Sequence, residues 1–360
     1  MMRTMTATDD DTSPRRLRTA IIIASVLIAA AASVVLLTSG PSEQATTKGV
    51  TATLHLPGSP DFAVFVPGGL WVSIHGSDAK ENIEPDGQLL HLNLATGTVQ
   101  QTVPLRGATS NLALDGNSLI ADPGIAGTSV GVAPGELIAV DTRTGRVLAR
   151  RRQQISGGPM VIGDGALWEI QEKHGDIPTT LQEFNPATLA PIAPPLALSP
   201  TSNVLGLAYG GGYLWASAAN AGEVLRIDPA TRAITRAHVG GFPIGIVLAG
   251  GSVWIIDNSN ATIKHLDPST LRVIGKSVSL PSGSNFYLGA TDGYVFVADD
   301  SDGTITRIDT RTGESAGRPI RIAPASTTGF GSAYAIAPAD TAIWATSPST
   351  DTISRIEANP

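Results

Sequence analysis

The chain has 360 residues, a formal charge of −7, 15% charged residues and no cysteine. The acidic balance argues against nucleic acid as a partner, because phosphate neutralisation needs a basic face. The missing cysteine removes disulfides, thiol nucleophiles and thiolate metal sites together.

Residues 1–19 read as a short cytoplasmic segment. Ala20–Thr38, AIIIASVLIAAAASVVLLT, carries no charge and follows Arg15, Arg16 and Arg18. At about 1.5 Å per residue a helix of this length nearly crosses a hydrocarbon core. The arginines keep the N-terminus inside. The sequence therefore predicts a transmembrane helix over 20–38, the cell membrane as one partner, and a single-pass protein with the rest of the chain extracellular. The alternative is secretion after signal peptide cleavage, for which the usual apolar region is about 7 to 15 residues. Residues 39–50, small and polar, read as a linker.

From residue 51 the chain repeats. The pattern apolar-x-x-apolar followed by an acid or amide starts at Leu89, Leu137, Leu181, Val224, Ile263, Ile305 and Ile353, at spacings of 48, 44, 43, 39, 42 and 48 residues. Six copies run into a turn such as NLATG, DTRTG or DPATR, whose first Asp or Asn can accept hydrogen bonds from the turn backbone. Upstream of most copies lies an aromatic: Trp71, Trp168, Trp215, Trp254, Phe296 or Trp344, with Ile120 in the second unit. The fifth unit splits into Ile244–Leu248, Ser252–Ile256, Thr262–Leu266 and 272–279. Four short strands at this spacing predict propeller blades. The seventh unit ends after its third strand, and an extra strand, Thr51–Leu56, precedes unit one. The expectation is an all-β, seven-bladed propeller over 51–360 whose N-terminal strand closes the last blade.

The stretch Phe242–Thr270, with Pro-x-Gly-Ile, Gly-x-Val-Trp and Ile-Lys-His-Leu-Asp-Pro, resembles the bacterial group of YncE-like "YVTN" surface proteins and streptogramin B lyases. The resemblance implies a ligand face around the central channel. It does not carry the lyase site over: Trp215-Ala-Ser, Trp254-Ile-Ile and Trp344-Ala-Thr lack the Thr-Glu that often follows the blade tryptophan in that group.

Links between second and third strands are long in units one to three (76–86, 121–135 and 171–179) and short in units four to seven. Long insertions on one face are where binding commonly lives. The candidate residues there are Asp78, Glu81, Glu84 and Asp86, then Glu172, His174 and Asp176. His75 enters the first long link and His238 precedes a link to the next blade. Carboxylates with an imidazole suit a hard metal or acid–base work. No cofactor is expected, a divalent metal is possible, and no catalytic residue is assigned. Asp299, Asp300 and Asp302 read as a polar turn, and His91 and His265 as scaffold at equivalent positions. The leading expectation is a membrane-anchored propeller binding a protein, peptide or cell-envelope ligand. The alternatives are a lyase or hydrolase with a metal on the loop face, and a purely structural surface protein.

Overall fold

The computed structural model describes residues 45–75, 86–107, 109–123, 135–153, 158–171, 179–199, 203–281, 287–327, 331–339 and 341–359. The chain divides after Gly40, and Met1–Gly40 lies outside the described residues. The rest forms seven antiparallel sheets. Blade one is Ser59–Val66, Gly69–His75, Asp86–Leu92 and Val99–Arg106, from the channel outward. Blades two to five repeat this order, and blade five matches its sequence reading within a residue or two: Pro243–Ala249, Ser252–Asp257, Thr262–Leu266 and Val273–Ser279. In blade six the outer strand is split into Glu314–Ser315 and Ile320–Arg321. Each inner strand touches the next, and the last, Ile336–Pro338, touches Ser59–Val66, so the ring is closed.

Closure follows the expected register. Val50–His55 pairs antiparallel with Thr352–Glu357 as the outer strand of blade seven. Ala52 and Leu54 cover Trp344 and Ile353, while Val50 covers Ile343 and Ile356. The end of the expected linker is more ordered than a linker need be. Thr46 bridges Ile320 of blade six, giving its N–H to Pro319 and taking that of Arg321.

The repeat motif has a physical reason at each position. The side-chain oxygen of Asn93, Asp141, Asn185, Asp228, Asp267 or Asp309 accepts two N–H groups of its own turn at 2.8–3.2 Å. The fifth turn residue is left-handed in all six. It is glycine at Gly97, Gly145 and Gly313 but Leu189, Arg232 and Leu271 elsewhere, at φ of 57° to 61°. The blade aromatics are buried between sheets, and the indoles of Trp168, Trp215 and Trp254 donate to the carbonyl five residues earlier. His91 stacks on Trp71 at 5.0 Å and His265 on Trp254 at 4.4 Å, each opposite its tryptophan in the ladder. Burial lowers the pKa of both imidazoles, which suits neutral rings in the scaffold.

One expectation is corrected. The transmembrane helix predicted over 20–38 is not part of the fold described. The helices among the described residues are three-residue 3-10 turns, Ala219–Ala221, Asn258–Asn260 and Pro348–Thr350. None is long and apolar enough to cross a membrane. Residues 20–38 themselves lie outside the described residues. The fold statement is therefore the propeller with its closing strand. The single-pass placement, the membrane as partner through 20–38 and the membrane-anchored function are withdrawn with the helix.

Candidate ligand site at the mouth of the ring

Inner strands begin, and second strands end, on the face that carries the long links. A side-chain hydroxyl stitches blades together there. Two residues beyond the blade aromatic stand Ser73, Ser217 and Thr346. Ser217 donates to the Ile244 carbonyl of blade five at 2.6 Å. Thr346 donates to the Asp61 carbonyl of blade one at 3.0 Å and accepts the Ala335 N–H at 2.9 Å. Ser73 accepts the Phe62 N–H at 3.0 Å. The bonds to Asp61 and Phe62 serve a bulge, since the pairing of Ser59–Val66 with Gly69–His75 slips between Pro60 and Ala63. A bulge leaves backbone groups out of the ladder and re-aims side chains. Here the bulged pair is Asp61 and Phe62.

Asp61 Oδ1 lies 3.0 Å from His75 Nδ1, and the two side chains are 12% and 30% exposed. Burial raises the Asp61 pKa, while the bond to His75, its charge and the Thr109 N–H pull it down. His75 is raised, first by the bond to Asp61, against burial, with the Asp61 and Asp351 charges adding to the rise. The two shifts point the same way for opposite reasons, and the 3.0 Å contact makes the pair titrate as a unit. Asp61 Oδ2 is buried and completes no hydrogen bond.

Phe62 meets Tyr287 of blade six edge to face at 5.8 Å and Tyr334 of blade seven at 5.7 Å. The two tyrosine rings are 4.0 Å apart and tilted by 47°. All three are partly exposed. Burial raises both phenols, with the charges of Asp61 and Asp300 adding to the rise, and Tyr334 reaches about 12. Asp300 is 2% exposed and accepts the Gly331 N–H. Burial and the neighbouring Asp299 push its pKa up to about 6, against the pull of the Gly331 and Ser332 N–H groups. Asp299 holds the turn, accepting from Ser301 and Asp302, which is the expected polar turn. Blades six, seven and one thus place three rings, two carboxyls and one imidazole together.

Of the binding candidates named from the sequence, His75 is the one among the described residues that stands in this group, joined by Asp300 of the expected polar turn. His238 ends the outer strand Ile234–His238 and is exposed, away from the inner strands. Asp86 opens the third strand of blade one, opposite Arg106. Asp78, Glu81, Glu84, Glu172, His174 and Asp176 lie outside the described residues. Among the described residues no three His, Asp or Glu side chains come together as a metal site. Asp61, Phe62, Tyr287 and Tyr334 were missed. Their signal was positional. Two residues before the inner-strand partner of the blade aromatic, blades four and five carry Gly206 and Gly245, but blades one and six carry Phe62 and Tyr287.

Glu169 is a second unanticipated acid. The position after the blade aromatic is Val72, Ala216, Ile255 or Ala345 elsewhere, but in blade three it is glutamate, fully buried. Burial drives its pKa well up, and the Asp122 charge adds to the rise, opposed by bonds from Gln153 and Gln171 and the Arg151 charge. Gln153 Nε2 donates to Glu169 Oε2 at 2.5 Å.

The fold is a seven-bladed β-propeller built of four-stranded blades. No known family's sequence profile matches the chain, and no curated protein does. Solved structures do. The Cps50 (Swd1) propeller domain of Myceliophteria thermophila shares 13% identity at a TM-score of 0.63, covering 86% of this chain and 99% of that one. Virginiamycin B lyase from Staphylococcus aureus shares 16% at 0.63, covering 85% and 98%. BamB from Moraxella catarrhalis shares 13% at 0.57, covering 86% and 99%. At these identities the likeness is one of fold.

Proposed function

We propose that the protein is a ligand-binding propeller that receives a protein or peptide segment at the mouth of the ring, between blades six, seven and one. The observation behind this reading is the partly exposed trio Phe62, Tyr287 and Tyr334 beside the half-buried Asp61–His75 couple. Phe62 and Tyr287, large rings at the inner-strand position that is glycine in blades four and five, serve no repeat-wide packing need. Clustered aromatics with a few convergent polar groups are what binding sites use. The acidic links with Asp78, Glu81, Glu84 and Asp86, and with Glu172, His174 and Asp176, are read as outer contacts on the same face. We also read the chain as a relative of the YncE-like and streptogramin B lyase group, on the blade phrasing of Phe242–Thr270. No lyase residue is carried over.

The test is panning a displayed random-peptide library on the immobilised full chain. The parent should enrich a peptide family that Phe62→Ala and Tyr334→Ala variants fail to hold at unchanged thermal midpoint. The triple Asp78, Glu81, Glu84→Ala change should only weaken it. Equal retention by the ring variants overturns the site. A second reading, acid–base catalysis, draws on the Asp61–His75 couple, whose geometry fits a general base. Turnover of a bound peptide lost in His75→Ala, with retention intact, would establish it.

A further inference from the structure

Some rings elsewhere in the protein are covered by arginine side chains. Arg226 sits 4.9 Å over Tyr213 and Arg307 5.5 Å over Tyr294, so the protein's own cations cover those rings. Arg151 does the same for Phe184. Among the described residues Phe62, Tyr287 and Tyr334 carry no such partner, although the Asp61 and Asp300 charges bear on both tyrosines. Arg321, which reaches back to the Asp299–Asp302 turn, is held by Asp302 at 3.2 Å. Among the described residues His75 is the cationic group facing Asp61, and the Asp351 charge faces that imidazole from blade seven. Asp61 is 9% exposed and its Oδ2 has no completed hydrogen bond.

We propose that the mouth of the ring takes an organic cation, an alkylammonium group presented over Tyr287 and Tyr334 in the field of Asp61 and Asp300. The inference rests on the mouth being the binding site. Ring faces attract a cation through their quadrupole, and the attraction strengthens where water is excluded. A carboxylate behind the rings adds to that field. An anionic ligand would meet two carboxyls against one imidazole, so it is disfavoured. A neutral apolar group would fill the rings but leave the field uncompensated.

The experiment uses the purified full chain and three capped tripeptides, Gly-Lys-Gly, Gly-norleucine-Gly and Gly-Glu-Gly, with butylammonium as a fourth probe. Binding is followed by titration calorimetry in the parent, Tyr334→Leu and Tyr334→Phe. The lysine peptide should bind about tenfold more tightly than the norleucine peptide, whose side chain lacks only the ammonium. Tyr334→Leu should lose that preference and Tyr334→Phe should keep it, which separates loss of a ring from loss of folding. Butylammonium equal to the lysine peptide marks a small amine as the source of the cation. Preference for the peptide marks a polypeptide. Equal binding of the lysine and norleucine peptides, lost in Tyr334→Leu, overturns the cation and leaves the binding reading standing. Tighter binding of the glutamate peptide also overturns the cation. No Tyr334-dependent binding of any probe overturns both.

Discussion

Thr346→Val removes one hydroxyl at constant volume and should be costly. Thr346 is fully buried, and its Oγ1 serves the Ala335 N–H of its own blade and the Asp61 carbonyl of blade one. Valine leaves both backbone groups without that partner, each costing about 1–3 kcal/mol. Sparing the hydroxyl its own desolvation offsets about 1 kcal/mol, so the net loss is about 1–5 kcal/mol. Thr346→Ser keeps the hydroxyl and deletes a methyl, at about 1 kcal/mol. The expected order of urea midpoints at equal slope is parent, serine, valine. Because the lost bond holds the bulge at Asp61, valine should also weaken ligand binding where serine does not. A valine midpoint at or above that of serine would refute the stitch between blades seven and one.

Three further outcomes follow from the same physics. A chain beginning at residue 58 should have a lower unfolding midpoint than one beginning at 45 and should self-associate through the bared edge of Thr352–Glu357; equal midpoints in sedimentation-checked monomers would contradict closure by Val50–His55. Glu169 has a folded pKa raised by burial, so its stabilising protonated state is complete below its ordinary value and lost as pH rises through the raised one. Glu169→Gln should therefore gain on the parent as pH rises, read as thermal midpoints at about pH 5 and about pH 8. Asp257, 1% exposed, is held 2.7 Å from Lys264. Lys264→Met should cost about 3 kcal/mol by leaving that acid without its cation. Burial raises the Asp257 pKa, but the bonds from Lys264, Asn260, the Phe242 N–H and Ser259 hold it below its ordinary value, so the parent's advantage should vanish as pH falls through it.

The ring was legible because each blade repeats the same local physics. Asp267 and Asp309 must cap their turns, Trp254 and Trp344 must fill the inter-blade space, and the strand Thr352–Glu357 takes its outer partner from Val50–His55. The histidines at 91 and 265 were readable as scaffold because they share a position with Arg226 and Arg307. The site was less legible because it departs from the repeat. Phe62, Tyr287 and Tyr334 look like core residues until ring closure brings blades six, seven and one together. Asp300 looks like a solvated turn residue, and only the fold shows it turned inward onto the Gly331 N–H. Glu169 was readable in principle, since the equivalent positions Val72, Ala216 and Ile255 are apolar, but its facing acid, Asp122, comes from another blade.

The central claim is that ligand meets the mouth of the ring at Tyr287 and Tyr334. The chain has five tyrosines. Tyr209, Tyr213 and Tyr294 lie at the opposite ends of their blades, next to the turns Gly210–Gly212 and Thr291–Gly293. Ring-carbon-labelled tyrosine, observed by NMR while the Gly-Lys-Gly peptide is added, therefore reports both faces at once. The account expects the resonances of Tyr287 and Tyr334, assigned by Tyr→Phe substitution, to move together with one binding constant while the other three stay in place. Movement of Tyr209, Tyr213 or Tyr294 with Tyr287 and Tyr334 unmoved would contradict it.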